Sequence, residues 1–202
     1  MRRGSLGGLF SLLDEIGDQR GAAAVLEEAR EITPPDDVQG RYYLYFNEGL
    51  LRFHEQRFEL ARLAYRQALA LPDAGKTADF DRAALYNLVE SDVALGELDA
   101  AARDLSAAVA KLPAEPPLHM RCARAFFTGL LARAQRDPTR AEAAVREPLA
   151  ASPPADWVWQ LEHVLGGALE DQGRRDEAIA AYRRAIATVE QMRRDLAIDV
   201  LQ

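Results

Sequence analysis

The sequence predicts an all-α chain built as a solenoid of about five helix pairs, and three observations carry that prediction. The first is a repeat. A small–bulky–small triplet recurs as Ala22, Leu26, Ala29; Ala61, Tyr65, Ala68; Ala101, Leu105, Ala108; and Ala178, Tyr182, Ala185, with a degraded copy at Ala141, Val145, Pro148. The leading alanines lie 39, 40, 40 and 37 residues apart. The second is the spacing inside the triplet. Positions i, i+4 and i+7 share one helical face, and small residues at both ends let a neighbouring helix approach closely. The third is punctuation. Pro34, Pro113 and Pro153 stand at one offset beyond the leading alanine, with Pro72 one residue early in its repeat. A proline ring cannot continue a helix, so each marks a stop.

A second helical stretch lies upstream of each alanine, as in Ala84-Leu85-Tyr86-Asn87-Leu88-Val89, so each repeat reads helix A, tight turn, helix B, loop. The repeats cover about 3–39, 40–79, 80–118, 119–155 and 156–190 of a single domain spanning 1–202. In the last repeat the apolar positions run on from Ile186 through Val189, Met192, Leu196 and Val200, extending helix B toward residue 202. That extension reads as a capping helix, a partner-binding helix, or the start of a helix leading into a further domain.

The turn-and-alanine segments Gly96-Glu97-Leu98-Asp99-Ala100-Ala101 and Gly173-Arg174-Arg175-Asp176-Glu177-Ala178, together with Tyr45, Gly49 and Phe58 in the second repeat, resemble the tetratricopeptide repeat family. The resemblance covers nearly the whole chain. It implies a right-handed α-solenoid and a role in protein–protein interaction. Several features depart from the family pattern. The period exceeds the family's roughly 34 residues, with the surplus in the proline-bearing loops between repeats, such as 71–77. Gln56 and Arg136 stand where glycine usually makes the turn, and Pro148 inside the fourth helix B should end or kink it. Glu48, Arg52 and Asp92 hold helix-A positions that the family packs with apolar side chains. Arg52 and Asp92 are equivalent residues of adjacent repeats, which either pairs them across the stack or reflects a slight rotation of helix A. The C-terminal helix is also similar, over a short stretch, to the exit helix of bacterial repeat arrays fused to caspase-like CHAT protease domains.

Composition narrows the function. The chain has 202 residues, 49% hydrophobic and 28% charged, which is a globular balance. Its 25 basic and 32 acidic residues give a net charge of −7, against a nucleic-acid-coating role. One cysteine, Cys122, excludes a disulfide scaffold or a cysteine metal cage. No apolar run is long enough to span a bilayer. The start, Met1-Arg2-Arg3 with Leu6, Leu9 and Phe10, is broken by Asp14, Glu15 and Asp18 too early for a secretory signal. The expected setting is therefore cytoplasmic, and the alanine richness and lysine scarcity (Lys76 and Lys111 alone) fit a GC-rich bacterial coding sequence. His54, His119 and His163 lack a second ligand at metal spacing. His119 and Cys122 lack a third group to orient them. No glycine loop follows a strand. No catalytic residue, cofactor or metal is expected.

The resemblance implies a concave surface lined by helix A. Its ligand-facing positions fall here on Phe46, Tyr86, Phe126 and His163, with Asn47, Asn87, Phe127 and Val164 adjacent. Leu50, Glu90 and Leu130 are further rungs, and Trp159 precedes His163 by a turn. Rings offer contact area at low rotamer cost and asparagine can hold an extended backbone, so the groove suits an apolar or aromatic segment of a protein or peptide partner. The competing reading is that these rings fill the space between adjacent A helices. A basic clamp for a terminal carboxylate is not visible, since both lysines lie outside helix A. Two alternatives to a free-standing interaction module stay open: a regulatory or sensor domain of a larger signalling protein or CHAT-type protease, present as a fragment, and a self-assembling scaffold.

Overall fold

Caps and turns cut the chain into ten helices. In the computed structural model, which describes residues 2–72 and 77–199, these are α1 (Arg2–Glu15), α2 (Gln19–Ile32), α3 (Val38–His54), α4 (Phe58–Leu69), α5 (Ala78–Leu95), α6 (Leu98–Ala110), α7 (Leu118–Ala134), α8 (Pro138–Ala150), α9 (Ala155–Asp171) and α10 (Arg175–Asp199). No strand occurs among the described residues. The loop residues 73–76, with Lys76, and the terminal Val200, Leu201 and Gln202 lie outside the described residues, as does the side chain of Leu196. The fold class is that of an all-α solenoid of helix pairs, with odd-numbered helices in the A role and even-numbered ones in the B role.

Side-chain caps start several helices. Asp18, Asp37 and Asp137 accept from the backbone N–H of Gly21, Gly40 and Arg140 at 2.9, 2.9 and 3.0 Å. Each such cap contributes about 1 kcal/mol. The prolines stop the B helices: α2 ends at Ile32 before Pro34, α4 at Leu69 before Pro72, α6 at Ala110 before Pro113 and α8 at Ala150 before Pro153. Pro148 does not end α8 where it stands. It is buried in the last turn, and the helix runs on to Ala150.

Every A-to-B turn is built alike. Gly17, Gln56, Gly96, Arg136 and Gly173 all take the left-handed conformation, at φ 77°, 60°, 78°, 63° and 77°. The next residue's N–H then reaches back five residues, as in Asp18 N to Leu13 O and Arg57 N to Arg52 O, both 2.8 Å. The left-handed residue's own N–H bonds three residues back, as in Gln56 N to Phe53 O at 2.9 Å. These are Schellman closures, which satisfy the last carbonyls of helix A. Gln56 and Arg136 make the glycine turn without glycine, each against a penalty of about 1–2 kcal/mol for a side chain in this region.

The chain divides into two bodies, Met1–Lys111 and Leu112–Gln202. In the first, α1 packs on α2, α3 on α4, α4 on α5 and α5 on α6; in the second, α7 on α8, α8 on α9, α9 on α10, and α7 runs along α9. The leading alanines are sealed: Ala22, Ala61, Ala101 and Ala141 have no exposed surface and Ala178 has 3%. Twelve residues before the alanine, helix A offers the triplet's central side chain its seat. A Cβ on Gly49 would overlap the Tyr65 ring, and one on Gly166 would overlap Tyr182. In the third repeat the same pair of positions is Val89 and Leu105, both buried, so a larger helix-A residue meets a smaller triplet residue.

Arg52 and Asp92 do not pair across the stack. Asp92 is fully buried and turns toward α4, where Arg62 reaches it at 3.4 Å. Arg52 bonds Glu55 at 3.0 Å and lies 3.7 Å from Glu48 on its own helix. A bridge that does form between helix A of adjacent repeats is His54 Nδ1 to Asp14 Oδ1, at 2.7 Å, between positions one residue out of repeat register.

Two stability predictions follow from this packing. Gly49→Val should destabilise by about 1–3 kcal/mol through overpacking, and Tyr65→Leu added to it should restore much of the loss by recreating the Val89–Leu105 arrangement. Denaturant unfolding of the two single variants and the double variant checks this, and additive losses would contradict it. Gln56→Gly and Arg136→Gly should each stabilise by roughly 0.5–1 kcal/mol, since relief of the left-handed penalty exceeds the entropy of the added glycine; a lowered melting temperature would contradict the turn assignment.

Candidate functional site

In the first body, α3 presents Phe46, Asn47 and Leu50 within little more than a helical turn, all half-buried. They open onto a cleft of about 790 Å³ whose other walls include Leu6 and Phe10 of α1 and Val25 and Leu26 of α2. The walls are mainly apolar, and Asp37 is the one carboxylate among the lining residues, where it caps α3. The inner edge of Phe46 rests on aromatic core: its ring lies 5.8 Å from both Tyr42, stacked, and Tyr65, edge-on. Tyr42 in turn stacks on Phe80 at 4.8 Å. Phe46 is thus anchored on one side and open on the other.

The equivalent residues of α5 sit differently. Tyr86 is buried at 6% exposure and belongs to the core. Asn87 is half-buried and donates its amide to the Ala83 carbonyl of its own helix at 3.2 Å. Glu90, one turn after Tyr86, is half-buried and makes no hydrogen bond or ion pair among the described residues. Burial raises its carboxyl to about 7, against the lowering influence of nearby His54. The Tyr65 hydroxyl is buried with no hydrogen-bond partner. Burial, then the charges of Glu90 and Asp14, push that phenol well above its ordinary range.

In the second body, Phe126 and Leu130 of α7 are half-buried. Phe126 meets the buried Phe127 edge-on at 4.9 Å and Trp157 at 6.5 Å. Trp159 and His163 of α9 are exposed, and the His163 ring lies 5.8 Å from Tyr182. Val164 is buried, so in this body the rung containing Phe127 and Val164 is core.

The structure therefore brings Phe46, Asn47 and Leu50 together on one cleft, and places Trp159 and His163 together on an exposed face of α9. It sends Tyr86 inward. Sequence reasoning passed over His54 and Tyr65, whose electrostatic environment includes Glu90, and over the Asp14–His54 bridge, whose residues lie one position out of repeat register and so gave no periodic signal.

Comparison with known proteins is consistent with this architecture. A family model described as tetratricopeptide repeat matches residues 163–187. No curated protein sequence matches the chain. Among solved structures, BtubC (BKLC) from P. vanneervenii is similar at 21% identity and TM-score 0.64, over 93% of this chain and 80% of that one. Nearly identical TPR-like repeats of a putative kinesin light chain from Podosopora anserina are similar at 18% identity and TM-score 0.61, over 96% and 97%. MamA is similar at 19% identity and TM-score 0.54, over 92% and 97%. At these identities the likeness is one of fold.

Glu90 carries a pH prediction. A carboxyl raised in the folded state from 4.5 to about 7 leaves its stability contribution intact below the unfolded value and removes it as pH rises through the folded one. Glu90→Gln should therefore be more stable than wild type above neutrality by about 2 kcal/mol, and the gap should shrink toward mildly acidic pH. Chemical denaturation across that pH range checks it; a gap that does not change with pH would contradict the placement of Glu90.

Proposed function

We propose that this chain, which carries a tetratricopeptide repeat within a fold of the same type, is a non-catalytic scaffold that docks an apolar or aromatic segment of a protein partner on its helix-A faces. Tetratricopeptide folds generally serve protein–protein interaction, and the finer reading rests on one observation. Three helix-A positions of α3, Phe46, Asn47 and Leu50, line a single mainly apolar cleft of about 790 Å³. Trp159 at 36% exposure and the exposed His163 supply a second ring-bearing face in the other body.

The setting that fits is a bacterial cytoplasm, with a protein rather than a nucleic acid or a bilayer as partner. A net charge of −7 disfavours phosphate backbones. No helix among the described residues is long and apolar enough to cross a membrane.

Docking and packing roles separate by mutation. Phe46→Ala and Trp159→Ala should weaken capture of the partner from native lysate while melting stays cooperative. Tyr86→Ala should instead cost about 3–5 kcal/mol of stability, as removal of a buried ring does. Parallel pull-down and thermal melting of the three variants distinguish the roles. If Phe46→Ala and Trp159→Ala unfold the chain, or leave capture untouched, the docking assignment fails.

A further inference from the structure

We propose that the helix-A face of the first body receives a basic side chain, a lysine or arginine of the partner segment, on the carboxylate of Glu90. The inference rests on the interaction-module reading and specifies the chemistry of the occupant. Its first support is a contrast. Every other carboxylate of this body that is wholly or partly buried, among the described residues, has a partner. Asp14 pairs with His54, Glu48 with Arg30, Glu55 with Arg52, Asp81 with Lys111, Asp92 with Arg62 and Asp104 with Arg66, and Asp37 caps α3. Glu90 alone has none.

The basic side chain that acts on Glu90 is already committed: His54 is held by Asp14 at 2.7 Å. A carboxylate drawn partly out of water and left without a counter-charge is a strong acceptor for an incoming cation, because the surroundings screen the attraction less than bulk water would. The second observation is Tyr65. Its side chain has no exposed surface, its hydroxyl has no hydrogen-bond partner, and of the charges that act on it Glu90 acts most strongly. A buried phenol with an unused donor, in the field of that carboxylate, leaves the site with unspent hydrogen-bonding capacity.

The surroundings select the kind of cation. Glu90 and Tyr65 supply too few oxygens for a hard divalent ion, and no group of three histidine, cysteine or acidic side chains that could hold a metal occurs among the described residues. Leu50, half-buried at the equivalent position of the preceding repeat, offers apolar surface to an aliphatic stem. Lysine and arginine have that construction, an apolar stem with a charged tip. An acidic segment would be repelled.

The test uses the full 202-residue chain. Dodecapeptides are selected on it from a random displayed library, and the most enriched peptide is synthesised with its basic residue and, as a twin, with norleucine in that place. Affinities of both are measured by fluorescence anisotropy on wild type, Glu90→Gln and Phe46→Ala. The expected result is enrichment of lysine or arginine beside an apolar residue. The norleucine twin should bind about tenfold more weakly to wild type and nearly as well as its parent to Glu90→Gln, the signature of a coupled pair. Enriched peptides without a basic residue, twins that bind wild type alike, or a lysine peptide indifferent to Glu90→Gln would each overturn the assignment. If such peptides still lose affinity on Phe46→Ala, the docking module stands and only the basic specificity falls. Failure to select any peptide overturns both. Glu90→Gln removes a desolvated charge and should fold, which a thermal melt confirms.

Discussion

Two helices approach to roughly 8–10 Å only where the side chains between their axes are small. In this chain one such residue leads the triplet of each repeat. Ala22, Ala61, Ala101, Ala141 and Ala178 lie where helix B closes on helix A, and none has more than 3% of its surface exposed. Other features are spaced from that alanine. The left-handed turn residue lies five positions before it in every repeat, at Gly17, Gln56, Gly96, Arg136 and Gly173. The central residue of the triplet, one turn after it, has a size set by what helix A leaves open: tyrosine over Gly49 and Gly166, leucine with Val89. Because each repeat solves the same close approach, stability is assembled from neighbour contacts, as expected of a solenoid.

Polar seams accompany this apolar core. In the first body Arg62 and Arg66, one turn apart on α4, reach Asp92 of α5 and Asp104 of α6 at 3.4 and 2.6 Å. Burial raises the Asp92 carboxyl, and so do a hydrogen bond to Asp104 and that residue's negative charge, with Arg62 opposing them. In the second body Arg184 of α10 grips Glu162 of α9 with two bonds, at 2.6 and 2.8 Å. Only the carboxylates of these pairs are buried, the arginines staying partly exposed, so each pair adds little net stability, but breaking one strands a buried acid. Their consequence is register: each arginine reaches a carboxylate on a neighbouring helix, and sliding a helix by a turn would separate them.

The repeat architecture was legible because its signals are local and periodic. The triplet, the prolines and the missing glycines at Gln56 and Arg136 can all be read from spacing, and the backbone takes the left-handed turn at those two residues regardless of the side chain. What spacing does not encode is the rotation of each helix about its axis. That rotation sends Asp92 toward Arg62 rather than Arg52. It also buries Tyr86 while leaving Phe46 on the cleft, although both hold the same position in their repeats. The Asp14–His54 bridge was hidden for a different reason. Its residues are chemically unlike and sit one position out of repeat register, so a search for self-similarity passes over them.

Equivalent positions in a repeat protein meet similar packing demands, so recognition has to come from where equivalents differ. The rung of Leu50, Glu90 and Leu130 shows this. Leucine satisfies the position in the second and fourth repeats, half-buried in both. The third repeat holds a carboxylate there, desolvated enough to be raised to about 7 and lacking the arginine that accompanies the other inward-facing acids. Folding gains nothing from that exchange, since an unpaired charge drawn out of water is unfavourable where an apolar side chain would not be. A destabilising residue in a position the fold fills comfortably with leucine is accounted for by what approaches it from outside, and the chemistry of a lone carboxylate calls for a cation.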